Sequence, residues 1–216
     1  MKYEYIIWDL DGTLLDTSCG IEKSVDYTTD IMGLKKLPWE IKREFIGPPI
    51  YDSFKQYYHM DENEANRATQ IFRDAYKDRF LFEAVPYDGI YKVLEILKDK
   101  GCKNAVATNK REDYAQILLR EFEFDKYFDF MLGSDFENKL TKKDIIERSL
   151  ILLKMKDRKK AVMIGDTRQD YIGATGCGIE FIGVNYGFGF SDKGIDAESE
   201  IILVSKPIDI ARIILG

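Results

Sequence analysis

Six short apolar runs rich in β-branched residues recur along the chain, at residues 5–8, 104–107, 128–132, 161–164, 181–184 and 201–204. Runs this short and this continuously apolar are the pattern of strands covered on both faces. Between them lie stretches of helical period at 89–100, 114–122, 144–154 and 170–176. Strands that alternate with helices in this way predict an α/β fold, a doubly wound, Rossmann-like parallel sheet with helices on both faces. Gly101, directly after Lys98, Asp99 and Lys100, reads as a helix stop, with cations in the last turn and glycine beyond it.

One interval breaks the rhythm. From the first run to the second is about 95 residues, whereas a strand-helix-strand unit needs roughly 30. The intervening chain holds helical stretches at 21–32, 39–45 and 62–82, with turn signals at Gly33 and Gly47-Pro48-Pro49. The expected organisation is a core domain of residues 1–15 and 84–216 and an inserted α-helical domain of residues 16–83. Residues 83–88 form the second linker, in which Pro86 favours an extended path.

Composition narrows the class. With 216 residues, 45% of them apolar, the chain can bury an ordinary core. A net charge of -6 argues against a nucleic-acid polyanion as partner. Cys19, Cys102 and Cys177 are odd in number and lack Cys-x-x-Cys spacing, which fits neither a disulfide framework nor a zinc site, so a reducing cytoplasm is expected. No apolar stretch approaches the eighteen or so residues of a membrane span. His59 is the single histidine, and its neighbours Tyr57, Tyr58 and Met60 read as a helix end rather than a catalytic pair.

The first run ends in Asp9-Leu10-Asp11-Gly12-Thr13. Side chains alternate along an extended chain, so Asp9 and Asp11 point to the same side where a buried strand meets a glycine turn. Two like charges so close repel unless a cation lies between them or one keeps its proton. The run at 104–107 delivers Thr108-Asn109-Lys110 and then a helix beginning near Glu112. A hydroxyl followed by backbone N–H groups at a helix start can hold a phosphate, although Thr and Asn are also ordinary helix caps.

The run at 161–164 delivers Asp166 and Asp170, four residues apart across a turn. They read either as a turn residue and a first-turn acid complementing the helix dipole, or as ligands and supports of a hard cation such as Mg²⁺. Lys142 opens the helix at 144–154, where a cation opposes the dipole, a placement that makes sense opposite a carboxylate or a phosphoryl group. A solvated lysine in Lys139-Leu140-Thr141-Lys142-Lys143 is the plain alternative. All four segments follow the carboxyl ends of predicted strands, where open parallel sheets bind ligands.

Together these residues resemble the haloacid dehalogenase superfamily over nearly the whole chain. Its D-x-D-G-T motif matches Asp9 to Thr13, its second motif Thr108, its motif lysine Lys142, with Lys139 and Lys143 as competitors, and its G-D-x-x-x-D motif Gly165 to Asp170. The insertion after the first motif resembles the helical cap of the branch containing phosphoglycolate phosphatases and β-phosphoglucomutases. The resemblance implies Mg²⁺ held by Asp9, the carbonyl of Asp11 and Asp166, with Asp170 further out. It also implies Asp9 as nucleophile, Asp11 as acid and base, Lys142 as the cation facing Asp9, and Thr108 and Asn109 as phosphate binders.

Within the superfamily, the second acid Asp11 argues for phosphoryl transfer over carbon–halogen cleavage. No histidine follows the first motif as in β-phosphoglucomutases, and no lysine among Lys23, Lys35, Lys36, Lys42 and Lys55 is marked out as a phosphonatase Schiff-base residue. The resemblance therefore implies a phosphatase of small phosphorylated metabolites, like phosphoglycolate phosphatase or a 5'-nucleotidase, acting as a monomer or homodimer. A phosphonatase or phosphomutase is the enzymatic alternative, and a receiver-like phosphoacceptor switch the non-enzymatic one. In the insertion, Gly47 and Pro48 resemble the loop that meets the leaving group, with Arg43 and Lys42 nearby as candidate carboxylate or phosphate binders, and Asp16 and Thr17 are expected at the hinge.

Overall fold

The computed structural model describes residues 1–137, 139–190 and 201–216. They form two compact units, Met1–Asp16 with Pro86–Gly216, and Thr17–Val85. The chain passes between them at Asp16–Thr17 and again at Val85–Pro86.

In chain order the elements are β1 (Tyr5–Trp8), β2 (Leu15–Asp16), α1 (Ser18–Met32), α2 (Trp39–Lys42), α3 (Ile50–Tyr58), α4 (Glu62–Ala75), β3 (Val85–Pro86), α5 (Ile90–Asp99), β4 (Lys103–Arg111), α6 (Glu112–Glu121), β5 (Phe130–Ser134), α7 (Lys142–Leu152), β6 (Ala161–Gly165), α8 (Arg168–Gly176), β7 (Glu180–Val184), β8 (Ile202–Val204) and α9 (Pro207–Leu215). Six of the strands make one parallel sheet in the order β5-β4-β1-β6-β7-β8. The strand order reverses at β1, which pairs with β4 on one side and β6 on the other. In open parallel sheets, ligands bind beyond the carboxyl ends of the strands at such a reversal.

Every residue of β1 is buried. Period two sends Ile7 to the face where Ala105, Met163, Ile145, Ile146 and Ala174 cluster, so α7 and α8 cover that side. Ile6 and Trp8 point the other way, where Trp8 Nε1 donates to Asn104 Oδ1 at 3.1 Å, a buried bond that satisfies both polar groups. Burying side chains of this size is worth roughly 1.5–3 kcal/mol each, so β1 is held from both faces and both edges.

Several boundaries differ from the sequence reading. β4 runs to Arg111, past the expected end at Ala107, because the ladder to β5 shifts register between Ala107 and Arg111 and resumes at Ser134. β5 is displaced two residues onward from the expected 128–132. Two helices lacked an expectation, α3 and α9. The proline at the start of α9 was a usable signal, since Pro suits the first turn.

The unit Thr17–Val85 is helical, and its core is aromatic. Phe45 meets Phe54 at 5.2 Å between ring centres, Phe54 meets Phe72 at 6.3 Å, and Phe72 stacks on Tyr76 at 5.8 Å. Asp61 and Glu64 close a reciprocal cap on α4, which is followed by one wide π turn over Tyr76–Phe80 instead of the continuous helix expected to residue 82. His59 follows α3 in a left-handed conformation, the helix end its neighbours indicated.

Candidate active site

The carboxyl end of β1 turns sharply after Asp9. The N–H groups of Leu14 and Leu15 both donate to the carbonyl of Leu10, and Gly12 adopts φ +82°. Glycine is required there twice over: the left-handed conformation disfavours side chains, and a Cβ would overlap the Asp166 carboxylate. Gly187 is similarly confined, between the Gly12 carbonyl and the side chain of Asp166. Backbone thus approaches the acids on two sides.

Three carboxylates converge at this point. Single oxygens of Asp9, Asp166 and Asp170 lie within 4.8 Å of one another, and all three residues are buried. Lys142, itself buried at the first position of α7, places its ammonium 2.7 Å from Asp9 Oδ1 and 2.7 Å from Asp170 Oδ1 and donates to the Ala107 carbonyl at 3.1 Å. Lys139 and Lys143, the competitors for this role in the sequence, are both exposed.

The two acids beyond β6 are held differently. Asp170 Oδ2 accepts from the Thr167 hydroxyl at 2.6 Å and the Thr167 N–H at 3.0 Å, a reciprocal cap on α8, while its Oδ1 faces Lys142. The capping and functional readings of Asp170 are therefore compatible, one for each oxygen. Asp166 Oδ2 accepts from the N–H groups of Phe188 at 2.7 Å and Gly189 at 3.3 Å, but its Oδ1 is buried with no hydrogen-bond partner among the described residues. An orphaned carboxylate oxygen beside two further acids is what a hard cation would satisfy.

Charge accounts for the titration behaviour. Burial pushes the Asp9 carboxyl up, Lys142 pulls it back, and Asp170 and Asp11 add to the rise, leaving it at about 7. Asp166 is raised well above the usual range by burial and then by Asp170 and Asp9. Burial acts against the charge on Lys142, yet Asp170 and Asp9 outweigh it and push its pKa up. One ammonium binds two of the three buried acids.

Thr108 and Asn109 lie in the irregular end of β4 rather than at a helix start. α6 begins only at Glu112 with Arg111 before it, so the Thr108-Asn109 pair caps nothing, and the cap alternative is overturned. Thr108 is buried, and its Oγ1 accepts from the Lys110 N–H at 3.2 Å, while Asn109 Nδ2 donates to Gln169 Oε1 at 2.7 Å, joining β4 to α8. Asp11 is half-buried and pairs with Lys110 at 3.1 Å.

Two contributors were marked by the sequence without a role of their own: Lys110, in a segment read for the Thr108 hydroxyl and the N–H groups after it, and residues 186–189 after β7, which resemble phosphoglycolate phosphatases and whose N–H groups hold Asp166. The glycines at 187 and 189 were the available signal for the second, since close backbone approach requires them. Tyr186 belongs to this loop, donating to the Thr13 carbonyl at 3.2 Å and meeting Tyr87 at 4.7 Å between ring centres. Burial raises both phenols far out of their ordinary range.

Asp16 ends β2 and is half-buried; its charge is among those that raise Tyr87. Arg43, Gly47 and Pro48 belong to the helical unit, where Arg43 starts a 3-10 turn and Gly47, at φ +102°, precedes the two prolines that lead into α3. Lys42 is corrected as a candidate anion binder. It is buried and bound to Glu22 at 2.7 Å and Asp26 at 2.8 Å, so its charge serves the helical unit itself.

A doubly wound sheet that gathers a D-x-D turn, a lysine and two further acids at its strand ends defines a hydrolase of the phosphoryl-transfer kind. The family model for haloacid dehalogenase-like hydrolases matches residues 6–184. The chain is 35% identical to a 5'-nucleotidase of Pseudomonas aeruginosa over 89% of its length and 87% of that protein. It is 26% identical to a phosphoglycolate phosphatase of Caulobacter vibrioides over 96% of this chain and 89% of the other. A crystal structure described as a "predicted phosphatase" from Clostridium acetobutylicum superposes with a TM-score of 0.90 at 38% identity, covering 100% of this chain and 99% of that one. The chain belongs to the haloacid dehalogenase-like hydrolases and is a phosphatase of that family. This membership sets aside the receiver-like switch. Among the described residues, no helix is long and apolar enough to cross a membrane.

Proposed function

We propose that this phosphatase hydrolyses small-metabolite phosphomonoesters with the help of Mg²⁺ and through a phosphorylated Asp9. The observation that carries the proposal is the buried group Asp9, Asp166 and Asp170, in which one ammonium binds two of the three acids and Asp166 Oδ1 is without a partner among the described residues. Asp9, Asp166 and the carbonyl of Asp11 would hold the cation, with Asp170 supporting from further out. Bound there, Mg²⁺ would offset the negative charge that carboxylate and phosphate bring together.

The chain's own residues then divide the work. An Asp9 oxygen attacks phosphorus in line, the bond from phosphorus to the ester oxygen breaks, and Asp11 delivers a proton to the departing alcohol. Water next attacks the aspartyl phosphate, Asp11 takes up its proton, and the released phosphate leaves Asp9 as it began. Lys142 keeps Asp9 ionised for the first step and faces the phosphoryl group in both. The Thr108 hydroxyl and the Asn109 N–H bind phosphoryl oxygens.

Nucleoside 5'-monophosphates and phosphoglycolate are the substrates of choice for a first test, because the similar proteins from Pseudomonas aeruginosa and Caulobacter vibrioides carry those activities in their names. Asp16, Arg43, Gly47 and Pro48 are the residues to vary for selectivity among leaving groups. Asp9→Asn should abolish Mg²⁺-dependent phosphate release from either substrate while the variant still folds. Unchanged release would sink the proposal. Borohydride trapping of an imine with a phosphonate substrate would move the chain to the phosphonatases, and isomerisation of a sugar phosphate without net phosphate release would move it to the mutases.

A further inference from the structure

We infer that Lys110 is a positioning residue for Asp11, holding one carboxylate oxygen so that the other is presented to the ester oxygen. Lys110 Nζ lies 3.1 Å from Asp11 Oδ1, and the two side chains are only 8% and 11% exposed, so the pair is shielded from the solvent that weakens surface ion pairs. The same residue is fixed from its backbone, since its N–H donates to Thr108 Oγ1 at 3.2 Å. The register shift of β4 between Ala107 and Arg111 places Lys110 on this irregular segment. One residue therefore links the proposed phosphoryl-binding hydroxyl to the proposed acid–base group.

The link has a physical purpose. Asp11 follows two residues after Asp9 in a tight turn, and its charge is repelled by the acids around it. A cation on Asp11 Oδ1 opposes that repulsion and favours a side chain that stays beside Asp9, within reach of the ester. A displacement of about 1 Å in a catalytic group can cost on the order of a hundredfold in rate. The positioning role rests on the acid–base role proposed for Asp11, and its effect should be confined to esters whose alcohol must be protonated as it leaves.

The test compares an alkyl phosphate with p-nitrophenyl phosphate, whose leaving group departs without a proton, in the wild type, Asp11→Asn, Lys110→Met and the double variant. The readout is kcat/KM, which covers the chain of events only up to alcohol release. The ratio between the two substrates cancels any loss of folded protein. Lys110→Met should lower kcat/KM for the alkyl ester by about a hundredfold and that for the aryl ester far less, and Lys110→Arg should recover part of the difference. In the Asp11→Asn background, loss of Lys110 should change the ratio no further. Equal losses on both esters, or no loss, would overturn the positioning role and leave the role of Asp11 intact. An Asp11→Asn variant with an unaltered ratio would overturn both.

Discussion

Two lysines in this chain have the same immediate surroundings and opposite consequences. Lys142 in the sheet unit and Lys42 in the helical unit are each buried, and each binds two carboxylates at 2.7–2.8 Å. Around Lys42 the acids Glu22 and Asp26 keep 36% and 29% of their side-chain exposure, so most of the charge that one ammonium cannot balance stays within reach of water, although Asp26 Oδ1 is itself buried. Around Lys142 the acids Asp9 and Asp170 are 8% and 0% exposed, and Asp166 adds a third charge with an unpartnered oxygen. Where excess charge reaches water, a lysine between two acids fastens helices. Where it does not, the acids are raised, and a bound cation would relieve them.

Removing the ammonium of Lys142 should have the largest effect. Lys142→Met leaves three buried acids facing one another and an approaching phosphate without a cation, so Mg²⁺-dependent phosphate release should fall by about a thousandfold in steady-state assays. A loss below about tenfold would make Lys142 as dispensable to chemistry as a structural pair and erase the contrast. Metal binding is the next test. With Mg²⁺ at about a hundred times its dissociation constant, the wild type should gain about 2.7 kcal/mol in unfolding free energy over chelator-treated protein. Asp166→Asn should lose most of that gain, and a full gain in the variant would place the cation elsewhere.

Much of this contrast was legible in the sequence, and the part that was not is instructive. The period of short apolar runs was enough for the doubly wound sheet, because buried parallel strands need apolar side chains on both faces, and Asp9 and Asp166 stood at the ends of those runs, with Lys142 at the start of a helix after one. The sense of Lys142 came from its conflict with the helix dipole, a local anomaly that a folded partner explains. Lys42 offered no such anomaly. Its partners lie on another helix, and nothing in the order of residues says that α2 lays Lys42 against α1. Lys110 was invisible for a related reason: the bulge that carries it past the end of the regular ladder depends on how β4 meets β5, and only folding sets that register.

The contrast should also be visible as a pH dependence without metal. In the folded chain Asp166 and Asp9 are raised, Asp9 to about 7, whereas in the unfolded chain both titrate near 4. As pH rises through that interval the unfolded chain releases protons that the folded chain still holds. Fewer protons on the unfolded state means that stability falls with pH. Chelator-treated protein should therefore melt at a lower temperature near pH 7.5 than near pH 5, with a smaller decline in Asp166→Asn. Mg²⁺ should remove most of the slope by favouring the ionised acids. A slope identical in wild type and Asp166→Asn would mean that the excess charge of this site reaches water, as it does around Lys42.

The smallest effect belongs to Lys42. Glu22 and Asp26 are four residues apart on α1, so Lys42→Met exposes a like-charge pair on neighbouring turns of one helix, a repulsion of a few tenths of a kcal/mol. The two charge-assisted hydrogen bonds that the ammonium makes are worth little more, because both acids remain accessible to water and salt. The sum should come to about 1 kcal/mol, or roughly 2–4 °C in melting temperature for a chain of this size. The destabilisation should be the same with Mg²⁺ or with chelator, should shrink in high salt, and should be partly recovered by adding Glu22→Gln. A destabilisation of more than about 3 kcal/mol, or one that Mg²⁺ repairs, would show that Lys42 holds buried charge after all, and the two lysines would then differ only in where the chain has placed them.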